Sequence, residues 1–213
     1  MNRLTRCAAA VLLAMPLSVV AAEDAANPKL SDAEFAELMK MMDDAQDMLL
    51  GLITGLSDEQ WNFKQAPDRW SVAECTEHIV RSQRLLLEAA QSAMAAPENP
   101  DWAEKTAGKN AFVRRVMPNR NPGGAGGAQA PQEIVPTENW NRGRAIEEFY
   151  KIQGVCRAYM ETVDREVKNH TFDHPFPVFG TLSAYDWLIY IPLHTVRHSK
   201  QIIEVQSDQN YPK

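Results

Sequence analysis

The run Trp187–Gln206 reads WLIYIPLHTVRHSKQIIEVQ and is predicted to form the last long helix of the chain. Thr181 or Ser183 is expected to cap this helix, and Pro192 is expected to kink it by removing one backbone hydrogen bond. Residues four apart on a helix lie one turn above each other, so His194 and His198 point the same way. Two imidazoles presented in this way can bind one metal ion.

Two earlier helices carry strong start signals. Ser31 and Glu34 form a capping box, and apolar residues at helical spacing follow to about Leu56. Ser71 and Glu74 form a second capping box, in the clearest helix start of the chain, and this helix is predicted to run to about residue 94. Between them, residues 57–69 are predicted to be a connector with one helical turn near residues 58–61.

A third long helix is predicted from Thr137 to about residues 169–170, with its apolar residues on one side. The next segment, Thr171–Gly180, is too rich in proline to be helical. No run alternates long enough to demand a β-strand. The sequence therefore predicts an all-α fold, a four-helix bundle in one domain at residues 23–213.

The connection between the second and third long helices, residues 97–136, is unusually long. Its centre contains Gly-Gly-Ala-Gly-Gly at 123–127, which cannot pack a core, so a mobile crossover is expected, with a short helix near residues 101–105. A phosphate-binding loop is disfavoured because no Gly-Lys-Ser/Thr follows the glycines.

The N-terminus is predicted to be a secretory signal peptide at residues 1–22. Arg3 and Arg6 precede an apolar stretch at 8–20, and small residues stand at 20–22. An uncleaved N-terminal anchor is the alternative. Removal would leave 20 basic groups against 28 acidic ones, a net charge of about −8, which argues against nucleic-acid binding. A periplasmic or secreted protein without a membrane span is expected.

Cys75 and Cys156 would remain in an oxidising compartment. A disulfide is conceivable there, but both residues lie in predicted helices, so buried thiols are the favoured interpretation. The chain contains no Cys-x-x-Cys motif, which disfavours a thioredoxin-like role.

His78 is the best candidate for a third metal ligand, because it lies in the first turns of a separate helix. Three neutral imidazoles would leave one coordination position open, as in catalytic zinc sites. Glu74 and Gln201 each lie about one turn from a candidate ligand and could support the site. Glu74 is also the capping-box acid, and the two roles compete. Histidines that simply occupy polar core positions are the alternative.

The remaining polar residues near these positions have milder interpretations. His170 and His174 could line the mouth of the site, although solvated loop residues are the default. Tyr190 could donate its hydroxyl to a substrate, although an aromatic residue at helical spacing usually packs in a core. Arg81 and Arg197 are expected to pair with acids on adjacent helices.

The motifs Trp70-Ser71-x-x-Glu74-x-x-x-His78 and His194-x-x-x-His198-Ser-Lys-Gln201 resemble the DinB-like family of metal-binding four-helix bundles (not the DNA polymerase of that name). The resemblance covers roughly residues 31–206. It implies a long crossover between helices two and three and a divalent metal (zinc, nickel, iron or manganese) held by residues matching His78, His194 and His198. It also implies frequent dimers and, in some members, thiol-dependent transfer or isomerisation.

Two functional hypotheses follow from these residues. In the first, the protein is an exported metal-dependent hydrolase or thiol-dependent transferase of a small molecule, with Glu74 as the candidate general base. In the second, it is a periplasmic metal- or ligand-binding or stress-response protein without turnover. Export separates the chain from cytosolic thiols, which weakens the transferase interpretation.

Overall fold

Residues 27–119 and 130–213 are described by a computed structural model, in which four long helices form a bundle. The predicted signal peptide and the glycine-rich centre of the crossover lie outside these residues. In chain order the elements are α1 (Asp32–Ile53), α2 (Asp58–Asn62), α3 (Val72–Ala95), α4 (Trp102–Lys105), α5 (Lys109–Val116), a 3₁₀ turn (Gln132–Ile134), α6 (Arg142–Thr162), β1 (Thr171–Asp173), β2 (Thr181–Ser183) and α7 (Ala184–Gln206). The predicted all-α bundle is confirmed.

Serine residues begin four of these helices in the same way. In each case the serine side chain accepts a hydrogen bond from the backbone amide of the residue three positions later. The side chain of that later residue accepts a hydrogen bond from the serine amide. The pairs are Ser31–Glu34, Ser57–Gln60, Ser71–Glu74 and Ser183–Asp186. Such boxes satisfy two backbone donors that the first turn leaves without partners. The cap of the last helix is therefore Ser183 and not Thr181.

Helix α7 is the centre of the bundle. It packs against α3 and α1, while α3 also packs against α6. Every residue from Ala184 to Pro192 is buried, so the first half of α7 is enclosed on all sides. The helix continues without interruption through Pro192. On α1 the buried apolar side chains recur at helical spacing, which confirms the predicted inner face.

The third long helix is shorter than predicted at both ends. It begins at Arg142, because the side chain of Asn141 caps the amide of Arg144. It ends at Thr162, since the following segment pairs with the start of the described chain: the amide of Leu30 donates to the carbonyl of Arg165. These tertiary hydrogen bonds replace the helical ones that residues 163–169 would otherwise make.

A two-stranded hairpin interrupts the helical fold just before α7, where no strand was expected. Strands β1 and β2 pair antiparallel, with Phe172 opposite Leu182. The intervening segment is non-helical, as predicted, and Gly180 has a φ of 62°, in the left-handed region that glycine tolerates best. The hairpin lies directly beside the N-terminus of α7, because the amide of Ala184 donates to the carbonyl of His170.

The crossover contributes more to the core than its composition indicated. The short helix expected near residues 101–105 is present as α4, and α5 was not anticipated. Three crossover residues are buried: Val113 and Met117 before the glycine-rich centre, and Ile134 after it. Cys75 and Cys156 are buried thiols, as favoured from sequence. Among the described helices, none combines the length and apolar character that crossing a bilayer requires.

Candidate metal centre

Three histidines from two helices meet between α3 and α7. His78 lies on α3, and His194 and His198 lie one turn apart on α7. The ligand atoms they offer all fall within 4.8 Å of one another. Their ring centroids are separated by 4.3 Å for His78 and His198, 4.5 Å for His194 and His198, and 5.2 Å for His78 and His194. The sequence-predicted set of three is therefore brought together.

Two of the three imidazole rings are oriented by hydrogen bonds that their Nδ1 atoms make. The Nδ1–H of His78 donates to the carbonyl oxygen of Ile134 over 2.8 Å, and the Nδ1–H of His198 donates to Oε1 of Gln201 over 2.8 Å. A carbonyl and an amide oxygen accept only, so both Nδ1 atoms carry protons. In each neutral ring the lone pair is then on Nε2, which is the tautomer that binds a metal.

The two Nε2 atoms face each other at 3.2 Å. Two lone pairs at this distance repel unless a metal ion or a proton lies between them. Ligands 2.0–2.1 Å from a tetrahedral ion are about 3.3 Å apart, close to the observed separation. The donor set therefore fits a divalent metal of the kind that imidazole binds well.

The environment keeps the histidines neutral. Burial is the main reason that the pKa of His78 is lowered to about 4; the hydrogen bond to Ile134 opposes this shift, and the charge of Arg197 adds to it. Burial also holds the pKa values of His194 and His198 well below their usual range, and the charge of neighbouring histidines adds to this. Neutral imidazoles do not need to lose protons before they bind a cation, so the site is ready for metal at neutral pH.

Glu74 is not positioned as the predicted general base would be. Its carboxylate accepts a hydrogen bond from the amide of Ser71 in the capping box and forms an ion pair with Lys64 at 2.8 Å. It does not line the cavity described below. Its catalytic role remains a prediction, while Gln201, the other expected supporting residue, does contact the site through His198.

Glu77 supports the site in a way that the sequence did not reveal. Its buried carboxylate accepts hydrogen bonds from the amides of Thr137 and Glu138 and from Arg81. These bonds fix the segment that returns from the crossover just after Ile134. Because the carbonyl of Ile134 orients His78, the position of the crossover is coupled to that of a candidate ligand. Arg81 pairs with Glu77 on its own helix as well as with Glu138.

The three histidines line one side of a cavity of about 1040 Å³. Its walls come from the bundle, from the hairpin, from α5 and from the segment at 130–134. Seven aromatic side chains contribute to these walls: Trp70, Phe112, Phe172, Phe176, Phe179, Trp187 and Tyr190. The carboxylates that line the cavity, Asp68 and Glu88, are both exposed. Volume and lining are typical of a site for a small, largely apolar molecule.

The other polar residues singled out from sequence have separate outcomes. His174 is buried against the cavity, so its default interpretation as a solvated loop residue is wrong. His170 instead hydrogen-bonds the carbonyl of Ala96 through Nδ1 and does not line the cavity. Tyr190 lines the cavity, and burial raises the pKa of its hydroxyl. Arg197 also lines the cavity and donates to the carbonyl of Asn119.

A helical bundle with three histidines converging on one side of a cavity defines a class of candidate metal-binding proteins. Residues 41–202 match a family model described as the DinB superfamily, and the chain belongs to that superfamily. It is similar to an uncharacterised protein, YuaE, of Bacillus subtilis strain 168, with 24% identity over 160 residues. That match spans 72% of this chain and 88% of the relative. No solved structure matches the chain.

Proposed function

We propose that this protein is an exported metalloenzyme that acts on a small molecule as a hydrolase or a thiol-dependent transferase. The observation that carries the proposal is the opening of the three-histidine cluster onto the large cavity. A structural metal site is closed by four protein ligands, whereas a catalytic one keeps a position for water or substrate. Of the described residues, only His78, His194 and His198 form a cluster suited to a metal ion.

A divalent metal held by these residues would supply Lewis-acid chemistry and lower the pKa of a water or thiol beside it. The protein's own contribution is orientation and exclusion of water. The carbonyl of Ile134 and the side chain of Gln201 hold two rings with Nε2 towards the shared point. Trp70 packs against His78 with ring centroids 4.6 Å apart and covers that ligand from one side.

Metal content measured after dialysis against zinc, nickel, iron(II) and manganese tests the site. We expect about one ion per chain for the wild type and a loss of at least tenfold in affinity for His78→Ala, His194→Ala or His198→Ala. His170→Ala is the matched control, because His170 is outside the cavity and should leave metal content unchanged. Equal metal content in the triple histidine variant would overturn the proposal.

Turnover is tested separately on a panel of ester, amide and thiol-transfer substrates. The metalloenzyme proposal expects hydrolysis or transfer that disappears with chelator and returns with metal. Glu74→Gln is included in this panel, because a general base at that position would make the variant slow without changing its metal content. A metal-loaded protein that turns over none of these substrates would favour the second candidate below.

The second candidate is a metal- or ligand-binding protein of the periplasm that performs no catalysis. It is favoured by one observation: among the described residues, no carboxylate hydrogen-bonds to any of the three histidines, and Glu74 is engaged with Ser71 and Lys64. A hydrolase usually places a general base within reach of the reacting water. Saturable metal binding that raises thermal stability without turnover is the expected behaviour.

Export and self-association are further parts of the proposal. The basic and apolar pattern of residues 1–22 supports cleavage after residue 22, and N-terminal sequencing of protein from a periplasmic extract would test it. A homodimer is proposed from the family resemblance, and light scattering of the metal-loaded protein would measure its mass. An intact N-terminus or a monomeric mass would contradict the corresponding part.

A further inference from the structure

The hairpin contributes one wall of the cavity through His174. The ring of His174 is nearly parallel to those of Trp187 and Tyr190, with interplanar angles of 4° and 6° and centroids 5.0 and 5.7 Å away. Phe179 packs against the same imidazole at 4.3 Å. His174 is 9% exposed. This wall is therefore an aromatic stack and is largely shielded from water.

The tautomer of His174 is fixed by its own backbone. The amide of Phe176 donates to Nδ1 of His174 over 2.9 Å, so Nδ1 bears the lone pair and the proton of the neutral ring is on Nε2. Burial lowers the pKa of His174 to about 4, which keeps the ring neutral at physiological pH. His174 thus presents an Nε2–H donor and no charge.

This Nε2–H makes no hydrogen bond with any residue in the described ranges, 27–119 and 130–213, and the atom is not sealed from solvent. The residue lines the cavity. A polar donor with no protein partner in a mostly apolar cavity is the type of group that fixes the orientation of a ligand. The donor also discriminates, because a ligand without an acceptor would leave it desolvated and unsatisfied.

Tyr190 connects this wall to the candidate metal centre. Its ring lies 5.7 Å from that of His174 and 6.0 Å from that of His194, measured between centroids. A ligand that packs along Tyr190 would therefore lie beside both His174 and His194.

We propose that the cavity selects ligands with a flat aromatic or conjugated body and a carbonyl-type oxygen that accepts a hydrogen bond from Nε2–H of His174. The inference deepens the proposed function, on which it rests for the placement of the reacting group near the metal centre. Binding along the wall itself does not require the metal. The metal ligands and the selecting donor belong to different parts of the chain.

A pair of matched probes tests the donor. 2-Acetylnaphthalene and 2-isopropenylnaphthalene have the same shape, and only the former has an acceptor oxygen. Their affinities for the full chain are measured by quenching of tryptophan fluorescence, with and without metal. We expect wild-type protein to prefer the ketone by about three- to tenfold, the range that corresponds to one neutral hydrogen bond.

Three variants test whether the Nε2–H of His174 causes the preference for the ketone. In His174→Asn the side-chain oxygen can still accept from the amide of Phe176, but no donor reaches the former Nε2 position, so the ketone preference should vanish. His174→Gln places an amide N–H near that position and should retain much of the preference. His170→Asn, on the same segment but outside the cavity, is the control and should behave as wild type.

The outcomes separate this inference from the proposed function. Wild-type protein that binds neither probe, or binds both equally, overturns the inference whether or not the variants fold. A ketone preference that persists in His174→Asn also overturns it. Wild-type protein that binds no metal but still prefers the ketone would refute the metalloenzyme proposal. The role of His174 in ligand selection would then still stand.

Discussion

The Nδ1–H of His78 donates to the carbonyl oxygen of Ile134 over 2.8 Å, across 56 residues of sequence. A candidate metal ligand on a rigid helix is thus oriented by a backbone group at the end of the crossover. Glu77, the preceding residue on the same helix, accepts hydrogen bonds from the amides of Thr137 and Glu138, which follow Ile134 in the chain. Consecutive residues of α3 hold the same returning segment, and this arrangement makes the crossover part of the candidate metal centre.

Substitution of Glu77 should therefore weaken metal binding although Glu77 touches no metal. In Glu77→Gln the carboxylate that accepts from two amides and from Arg81 is replaced by a neutral amide. We expect a metal affinity about tenfold lower, typical of groups that support a ligand indirectly, and a free energy of unfolding lower by about 1–3 kcal/mol. Isothermal titration with zinc and chemical unfolding measure the two effects.

Glu138→Gln is the control for this substitution. Glu138 also pairs with Arg81, and with Arg144, but its side chain is exposed. Exposed ion pairs contribute little to stability, about 0–1 kcal/mol. Metal affinity that falls equally in both variants, or in neither, would contradict the coupling between the crossover and His78.

Gln201 offers a second test of ligand orientation. Gln201→Leu removes the oxygen that accepts from the Nδ1–H of His198, so this ring can rotate or change tautomer. We expect metal affinity to fall by about 10- to 100-fold. Gln206→Leu on the same helix, whose side chain instead donates to the carbonyl of Leu52, should keep wild-type affinity. Unaltered affinity in Gln201→Leu would show that the hydrogen bond does not orient the ligand.

Two glycines give opposite predictions for stability. Gly180→Ala places a side chain at a φ of 62° and brings its Cβ to 3.1 Å from Nζ of Lys109, so unfolding should become easier by about 1–2 kcal/mol. Gly154→Ala lies in the middle of α6 with nothing within 4 Å, and it should stabilise the protein by about 0.5–1 kcal/mol. Thermal unfolding compares the two. Equal shifts of the same sign would contradict the hairpin conformation.

The pH dependence of stability should include a contribution from His174. Burial lowers its folded pKa to about 4, below the unfolded value near 6.5. The unfolded state therefore binds more protons between these values, and the stability that the neutral ring contributes is complete above pH 6.5 and lost as pH falls towards 4. In chelator, the difference in unfolding free energy between wild type and His174→Asn should shrink over this window. A constant difference would contradict the burial of a neutral ring.

Much of the bundle could be predicted because its signals are local. The capping boxes at Ser31 and Ser71 depend on residues three apart, and the pairing of His194 with His198 depends on one helical turn. These features follow from geometry within a single helix. The position of His78 in a strongly capped helix marks it as their partner, and the structure brings it within reach of both.

The parts that sequence did not reveal depend on contacts between distant segments. Thr137 resembles a helix start, but its amide binds Glu77, and the helix begins only after Asn141. The hairpin has strands of three residues each, too short for an alternating pattern to appear. Ile134 orients His78 through a backbone carbonyl, a group that every residue possesses and that no sequence motif can mark.

The cavity walls outside the long helices have a further consequence. The long helices carry the three histidines, whereas the hairpin, α5 and the segment at 130–134 line the cavity in front of them. The candidate metal ligands and the walls that contact a bound molecule therefore belong to separate segments of the chain. Exchanging one of these connecting segments should therefore change which ligand the cavity binds while the helical bundle and its three histidines stay the same.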